Sequence, residues 1–516
     1  MSILKINNLT HTFEDKQLFK NASFDINNGE HVGIVGLNGA GKSTFINIIA
    51  GNISYDEGEV IWHGGIRYDY LDQHADIDRS LTIMEYLKTA FDYLYDVDKK
   101  LSALYEEMAS VTDEKELEKM INRSNRMLEQ LENEGFYEID SRIKKVAGGL
   151  GVAALGLDKV IGTLSGGQRA KVMLTKLILE NPDVMLLDEP TNFLDVEHIE
   201  WLEKYLVSVK KTYIVISHDT DFLDAVCDCI VSIENGSIRK YSGNYTQFVA
   251  QHEMAVKQYA EDYERQQAEI KKMEDYINRN KARAATAGMA NSRKKMLERI
   301  DVMAKPTAVL ESHFSFPCEM LNTKDMLTVK DLEVGYDQPL LPPINFEMRG
   351  DTKLWIRGAN GIGKSTLLKT LMGIIPPLSG SFAFHIAARP AYLEQDLKFR
   401  EQDTNAFNYI SDCFPRFNQK EIRSQLARVG IKGEMSLQNV KTMSGGEQVR
   451  IRLLTIMNVT SNILILDEPT NHLDVNAKES LQKAIADYEG AVILVSHDKA
   501  FAESVCDKTL TLKQLN

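Results

Sequence analysis

The sequence predicts an α/β protein made of two copies of one phosphate-binding domain. A helical hairpin is inserted in the first copy, and a longer one joins the two. Three observations predict this. GLNGAGKS at Gly36–Ser43 recurs as GANGIGKS at Gly358–Ser365, and YLDQ at Tyr70–Gln73 as YLEQ at Tyr392–Gln395, both offset by 322 residues. Downstream, the SGG starting at Ser165 recurs at Ser444, and the SHD of Ser217–Asp219 at Ser496–Asp498, now offset by 279. The difference, 43 residues, is an insertion between Gln73 and Ser165, and a segment near 246–322 belongs to neither copy. The expected division is 1–245, with an arm at about 88–136, then a linker over 246–322, then 323–516.

Composition narrows the class. A chain of 516 residues corresponds to about three domains. Its net charge of −14 disfavours wholesale nucleic-acid binding unless basic residues are gathered locally. No run approaches about 18 apolar residues, and MSILKINNLT lacks the basic and apolar regions of a secretory signal. The five cysteines, Cys227, Cys229, Cys318, Cys413 and Cys506, form no CxxC pair. A cytoplasmic protein without zinc, iron–sulfur clusters or disulfides is expected.

The pattern GxxxxGK[ST] between an apolar strand (HVGIVG, KLWIRG) and a helix is a P-loop. Its glycines let backbone N–H groups close around phosphates at a helix N-terminus that favours negative charge. Lys42 and Lys364 would reach the β- and γ-phosphates, and Ser43 and Ser365 would hold Mg²⁺. Each copy then has an apolar strand ending in Asp-Glu, VMLLDE at Asp188–Glu189 and LILDE at Asp467–Glu468. The aspartate can face the metal while the glutamate polarises the attacking water. An isolated strand of this kind is more often plain core, but Asp188 and Asp467 each follow their SGG serine by 23 residues.

LSGGQ at Leu164–Gln168 and MSGGEQ at Met443–Gln448, with the motifs above, make the chain similar to the ABC-type ATPases over both copies. The resemblance implies two ATP·Mg²⁺ sites in a head-to-tail sandwich, each completed by the signature residues of the other copy. Nucleotide contacts are implied for Gly36, Asn38, Gly39, Gly41, Lys42, Ser43 and Thr44, and for Gly358, Asn360, Gly361, Gly363, Lys364, Ser365 and Thr366. The signature residues are Ser165, Gly166 and Gly167, and Ser444, Gly445 and Gly446. Metal contacts are implied for Ser43, Gln73 and Asp188, and for Ser365, Gln395 and Asp467. Glu189, Glu468, His218 and His497 take the catalytic positions, and Phe13 and Tyr336 stand where an aromatic stacks on adenine. Core packing is the alternative at those two aromatics, and Glu447 replaces Gln168 in the second signature.

Asn192 and Asn471 in DEPTNFLD and DEPTNHLD, together with the linker, resemble the ABC-F proteins, tandem ATPases that act on the ribosome. In the linker, Val249, Val256, Tyr259, Tyr263, Ile270, Met273 and Ile277 keep helical spacing, as do Met289, Met296, Ile300 and Met303. Two antiparallel helices of about 33 residues, each reaching roughly 50 Å, are expected, with a tip near 282–291. Residues 271–299 carry nine basic and three acidic groups. Arg279, Lys281, Arg283, Arg293, Lys294 and Lys295 are the candidate RNA contacts, a solvated spacer being the alternative. The arm, with twelve acidic and six basic residues over 92–134, is expected to meet protein, and the family likeness turns it toward the L1 stalk.

What the family likeness implies is a cytoplasmic monomer that binds the large ribosomal subunit at the tRNA exit site. There its linker would contact peptidyl-tRNA and rRNA and modulate translation. The modest tip and the retained arm favour a general translation role over antibiotic resistance. The competing expectation is the ATPase subunit of an importer with fused nucleotide-binding domains, a class without a basic hairpin of about 75 residues.

Overall fold

In the computed structural model each glycine-rich loop follows a central strand of a sheet. The structure describes residues 1–516 except 14–15, 37–38, 72–76, 112, 235, 281–286, 298, 301, 304–311, 322, 324, 360, 395–403, 472 and 514–516. In the first copy His31–Gly36 lies between Thr212–Ile216 and Cys229–Glu234. Val184–Asp188 and Tyr68–Tyr70 continue the parallel order beyond Thr212–Ile216, and Ser237–Ser242 closes the far edge antiparallel. In the second copy Lys353–Arg357 lies between Ala491–Val495 and Lys508–Thr511, with Ile463–Asp467 and Pro390–Leu393 beyond, all parallel.

The sequence dictates this arrangement. TYIVI, ILILD and AVILV are apolar without alternation and buried at every residue, as strands covered on both faces must be. Because the strands run parallel, Gly36, Asp188 and the loop after Ile216 gather at one end of the sheet, where such folds bind ligands. Each copy adds a three-stranded antiparallel sheet: Ser2–Phe13 between Lys16–Asn27 and Glu57–Trp62, and Leu327–Glu333 between Ile344–Met348 and Ser379–Phe384. No helix among the described residues is long and apolar enough to cross a membrane.

The insertion folds as a helical hairpin, as expected. Helices Asp92–Met108 and Glu114–Asn133 pack together, with Asp113 capping the second through the Lys115 N–H. Leu94, Leu101 and Leu131 join the apolar core beside the sheet.

The linker departs from expectation. Its first helix, Tyr245–Asn280, runs 36 residues, about 54 Å at 1.5 Å per residue. It is anchored by Phe248, buried against Tyr241 and His252, and by a 2.9 Å contact from His252 Nε2 to Glu234 Oε2. The return helix is described only over Ala287–Leu297. Residues 287–291 are therefore helical rather than tip, consistent with the helix-forming alanines there. Met289 and Met296, 58% and 57% exposed, do not form the apolar seam their spacing implied. The Arg293 guanidinium instead stacks 3.8 Å from the Tyr276 ring centre, and the Met303 N–H donates to Gln266 Oε1 at 2.8 Å. Those two pairings run antiparallel, so the hairpin itself stands.

Candidate active site

The described residues of both P-loops take the same form. Gly41 and Gly363, at φ 97° and 115°, turn the chain into helices Lys42–Ile49 and Lys364–Leu371, and no side chain caps either helix. A side chain on Gly41 would meet the Phe19 ring at 3.0 Å. The first-turn N–H groups therefore point into the loop, ready for an anion. Lys42 Nζ donates to Gly36 O at 2.9 Å, and Lys364 Nζ to Gly358 O at 2.6 Å. Thr44 and Thr366 occupy the same first turns, and Gly39 and Gly361 the loops before them, both at positive φ.

Asp188 and Asp467 end their strands beside these loops. Burial raises both carboxyls, Asp467 to about 6, while the Ser43 and Ser365 hydroxyls oppose the rise. Beyond the Ser365 hydroxyl, neither oxygen of Asp467 has a hydrogen-bond partner among the described residues. A buried carboxylate left so is costly unless a cation joins it, so these residues fit a divalent ion held with the phosphates. Such an ion would neutralise charge on the transferring phosphoryl group.

The glutamates carry a feature that the motif does not reveal. Glu189 and Glu468 sit in the left-handed region, at φ 49° and 51°, a strain worth about 1–3 kcal/mol that clusters at functional sites. Pro190 and Pro469 follow them and disfavour right-handed helix, and each glutamate N–H is tied to the neighbouring strand, at Ile216 O and Val495 O. The turn aims each carboxylate at the histidine loop. His218 N–H donates to Glu189 Oε2 at 3.3 Å, and His497 N–H to Glu468 Oε2 at 3.2 Å. The imidazole Nε2 atoms stand 3.4 and 3.0 Å from the other carboxylate oxygens. Burial pushes Glu189 up to about 8, with Lys42 opposing the rise.

Ser165 and Ser444 cap helices Gly166–Glu180 and Gly445–Met457 in reciprocal boxes with Gln168 and Glu447. Glu447 thus performs the cap that Gln168 performs in the first copy. Each serine oxygen accepts a helical N–H, which leaves its own proton available for an anionic oxygen. Gly166, Gly167, Gly445 and Gly446 form the first turns. Phe13 and Tyr336 are 55% and 65% exposed, so core packing is not their role. Asn38, Asn360, Gln73, Gln395, Lys281 and Arg283 lie outside the described residues. Arg279, Arg293, Lys294 and Lys295 are exposed on the linker helices, far in sequence from either P-loop.

The motif reading did not single out Asp195 and Asp474, the last residues of the DEPTNxLD runs. Lys171 Nζ holds Asp195 Oδ2 at 3.3 Å, and Arg450 pairs with Asp474. The field of Asp474 reaches Lys42, and that of Asp195 reaches Lys364. The charge of an aspartate of the other copy thus reaches each P-loop lysine, as a head-to-tail relation requires. A signal was present: in both copies a basic residue precedes the aspartate by 24 positions.

Fold and site together define a tandem P-loop ATPase whose two centres lie where the copies meet. A family profile described as ABC transporter matches residues 19–192 and 341–471, and a second with that description matches 231–316. The Bacillus subtilis (strain 168) ABC transporter ATP-binding protein YfmM is 42% identical, over 99% of this chain and 98% of its own. ABC transporter F family member 2 of Arabidopsis thaliana is 33% identical, over 99% of this chain and 75% of its own. Among solved structures, the archaeal ribosome recycling factor aABCE1, in complex with stalk protein aP1, superposes at TM-score 0.60. It shares 18% identity, covering 98% of this chain and 88% of that one, a likeness of fold alone. The chain belongs to the ABC transporter family, in its F branch, and it is an ATPase that binds ATP.

Proposed function

We propose that this ATPase is a cytoplasmic, monomeric translation factor that binds the ribosome with ATP and acts through its basic hairpin. ATP and Mg²⁺ fill two composite sites: the P-loop residues and Asp188 or Asp467 hold the nucleotide and metal, and Phe13 or Tyr336 stacks on the base. Glu189 and Glu468 orient and deprotonate the attacking water while His218 and His497 contact the γ-phosphate. Ser165 and Ser444 close the sites from the opposite copy. The protein occupies the tRNA exit site of the large subunit, with the hairpin toward peptidyl-tRNA and rRNA and the acidic arm toward the L1 stalk.

One observation carries this reading: nine basic and three acidic groups are concentrated over 271–299 of a chain whose net charge is −14. Such a segment neutralises phosphates and displaces their counterions. The ribosome named for one structural neighbour supports the reading only through a shared fold. If about five of these residues meet phosphates, ribosome affinity falls roughly 10²–10³-fold between about 50 and 200 mM salt. Replacing Lys281, Arg283, Arg293, Lys294 and Lys295 with Ala is expected to flatten that slope and leave ATPase activity without ribosomes nearly unchanged. An unchanged slope in the folded variant would make the hairpin a spacer.

A further inference from the structure

We infer that Lys478, from the second copy, is a positioning residue for the histidine loop of the first ATP site, and that the second site has no counterpart among the described residues. Lys478 lies on helix Val475–Ala486, which follows Asp474. Its Nζ donates across the interface to the backbone carbonyl of His218 at 3.0 Å, and within its own copy to Asp498 Oδ2 at 3.1 Å.

The repeat shows that this contact is one-sided. Between the DEPTNxLD run and the SHD the two copies align without a gap at an offset of 279, so Lys478 corresponds to Ile199. Ile199 is half-buried against the apolar core of the first copy and has no cation to offer His497. The equivalent aspartates Asp219 and Asp498 are near enough across the interface to repel, and Lys478 draws on both. One lysine therefore serves two loops that the repeat would otherwise supply separately.

The contact falls where it can act on chemistry. The residue whose carbonyl it fixes, His218, donates its own N–H to Glu189 Oε2 and holds its imidazole against the same carboxylate. Pinning that peptide from outside the copy limits the freedom of both groups. Small displacements of such groups cost rate: a shift of about 1 Å is worth up to 10²-fold. Because the lysine arrives with the second copy, the first site is fully ordered only when the two copies are paired. The second site, lacking this restraint, has the looser loop. The two ATP sites are chemically alike and mechanically different.

This inference rests on Glu189 and Glu468 being the catalytic carboxylates, and its test separates the two ideas. In a Glu468→Gln background only the first site turns over, and in a Glu189→Gln background only the second. Lys478→Ile, which installs the residue found at 199, is expected to lower kcat in the first background about 10- to 100-fold, with KM for ATP nearly unchanged. It should change the second background less than about twofold, and Lys478→Arg should restore the first. In nucleotide-free protein, amide hydrogen exchange over 216–222 should rise in Lys478→Ile and not in Lys478→Arg, while strand His31–Gly36 stays protected as the control for folding. Equal slowing of both backgrounds would make Lys478 a bond between the copies and nothing more. Unchanged turnover at the first site, or unchanged exchange over 216–222, would also overturn the inference. If neither Gln background slows hydrolysis, the catalytic assignment fails instead.

Discussion

Glu189→Gln combined with Glu468→Gln is expected to leave ATP bound and to slow hydrolysis by about 10²–10⁴, the usual worth of a positioned base. Glutamine is isosteric, so it keeps the hydrogen bonds from the His218 and His497 N–H groups while losing the basic oxygen. The P-loops, whose lysines bond to Gly36 and Gly358, are untouched. Burial pushes the Glu189 carboxyl up to about 8, which makes its ionised form a stronger base than an exposed glutamate. Left-handed backbone at both glutamates, held by the neighbouring strands, is strain that an ordinary strand end would not keep. Single-turnover hydrolysis and nucleotide binding, measured separately, check this. Hydrolysis near the parental rate would remove both glutamates from the chemistry.

The second large effect is non-additivity across the interface. In the Glu468→Gln background, Lys42→Ala and Ser444→Arg should each cost about 10²–10³ in hydrolysis, the scale for losing one preorganised donor to a transition-state charge. Together they should cost little more than either alone, because residues acting as one unit are lost once. The structural reason is an electrostatic link from the second copy to the first. Arg450, on the helix that Ser444 caps, grips Asp474, and the charge of Asp474 reaches Lys42. Ser165→Arg, which belongs to the other composite site, should combine additively with Lys42→Ala in the same background. Additive losses for Lys42 with Ser444 would argue against a head-to-tail pairing.

The repeat made most of this architecture legible. A motif seen twice at one offset cannot be chance, and the insertion followed from the change of offset. Buried parallel strands were readable because ILILD and AVILV have no polar alternation to place elsewhere. Backbone geometry at Glu189 was not readable, since it depends on a strand neighbour, Ile216, far along the chain. Interface pairs such as Asp474 with Lys42 were hidden for the same reason: the two residues are 432 positions apart. The return helix misled the periodicity argument. Met289 and Met296 have helical spacing, but spacing cannot say whether a partner face exists, and these two face solvent. One contact of the return helix is a cation on an aromatic ring, Arg293 on Tyr276, which a search for apolar repeats passes over.

ATP-bound protein is expected to engage the ribosome. The most direct measurement is sedimentation of the Glu189→Gln/Glu468→Gln protein with purified ribosomes through a sucrose cushion, at low salt, in ATP, in ADP and without nucleotide. The protein is expected to pellet with ribosomes in ATP, to be largely absent from the pellet in ADP, and to lose the ATP-dependent fraction when the five basic hairpin residues are replaced with Ala. Protein that stays in the supernatant in all three conditions while still binding ATP, and that instead recovers with a membrane permease, would return the chain to the importer class.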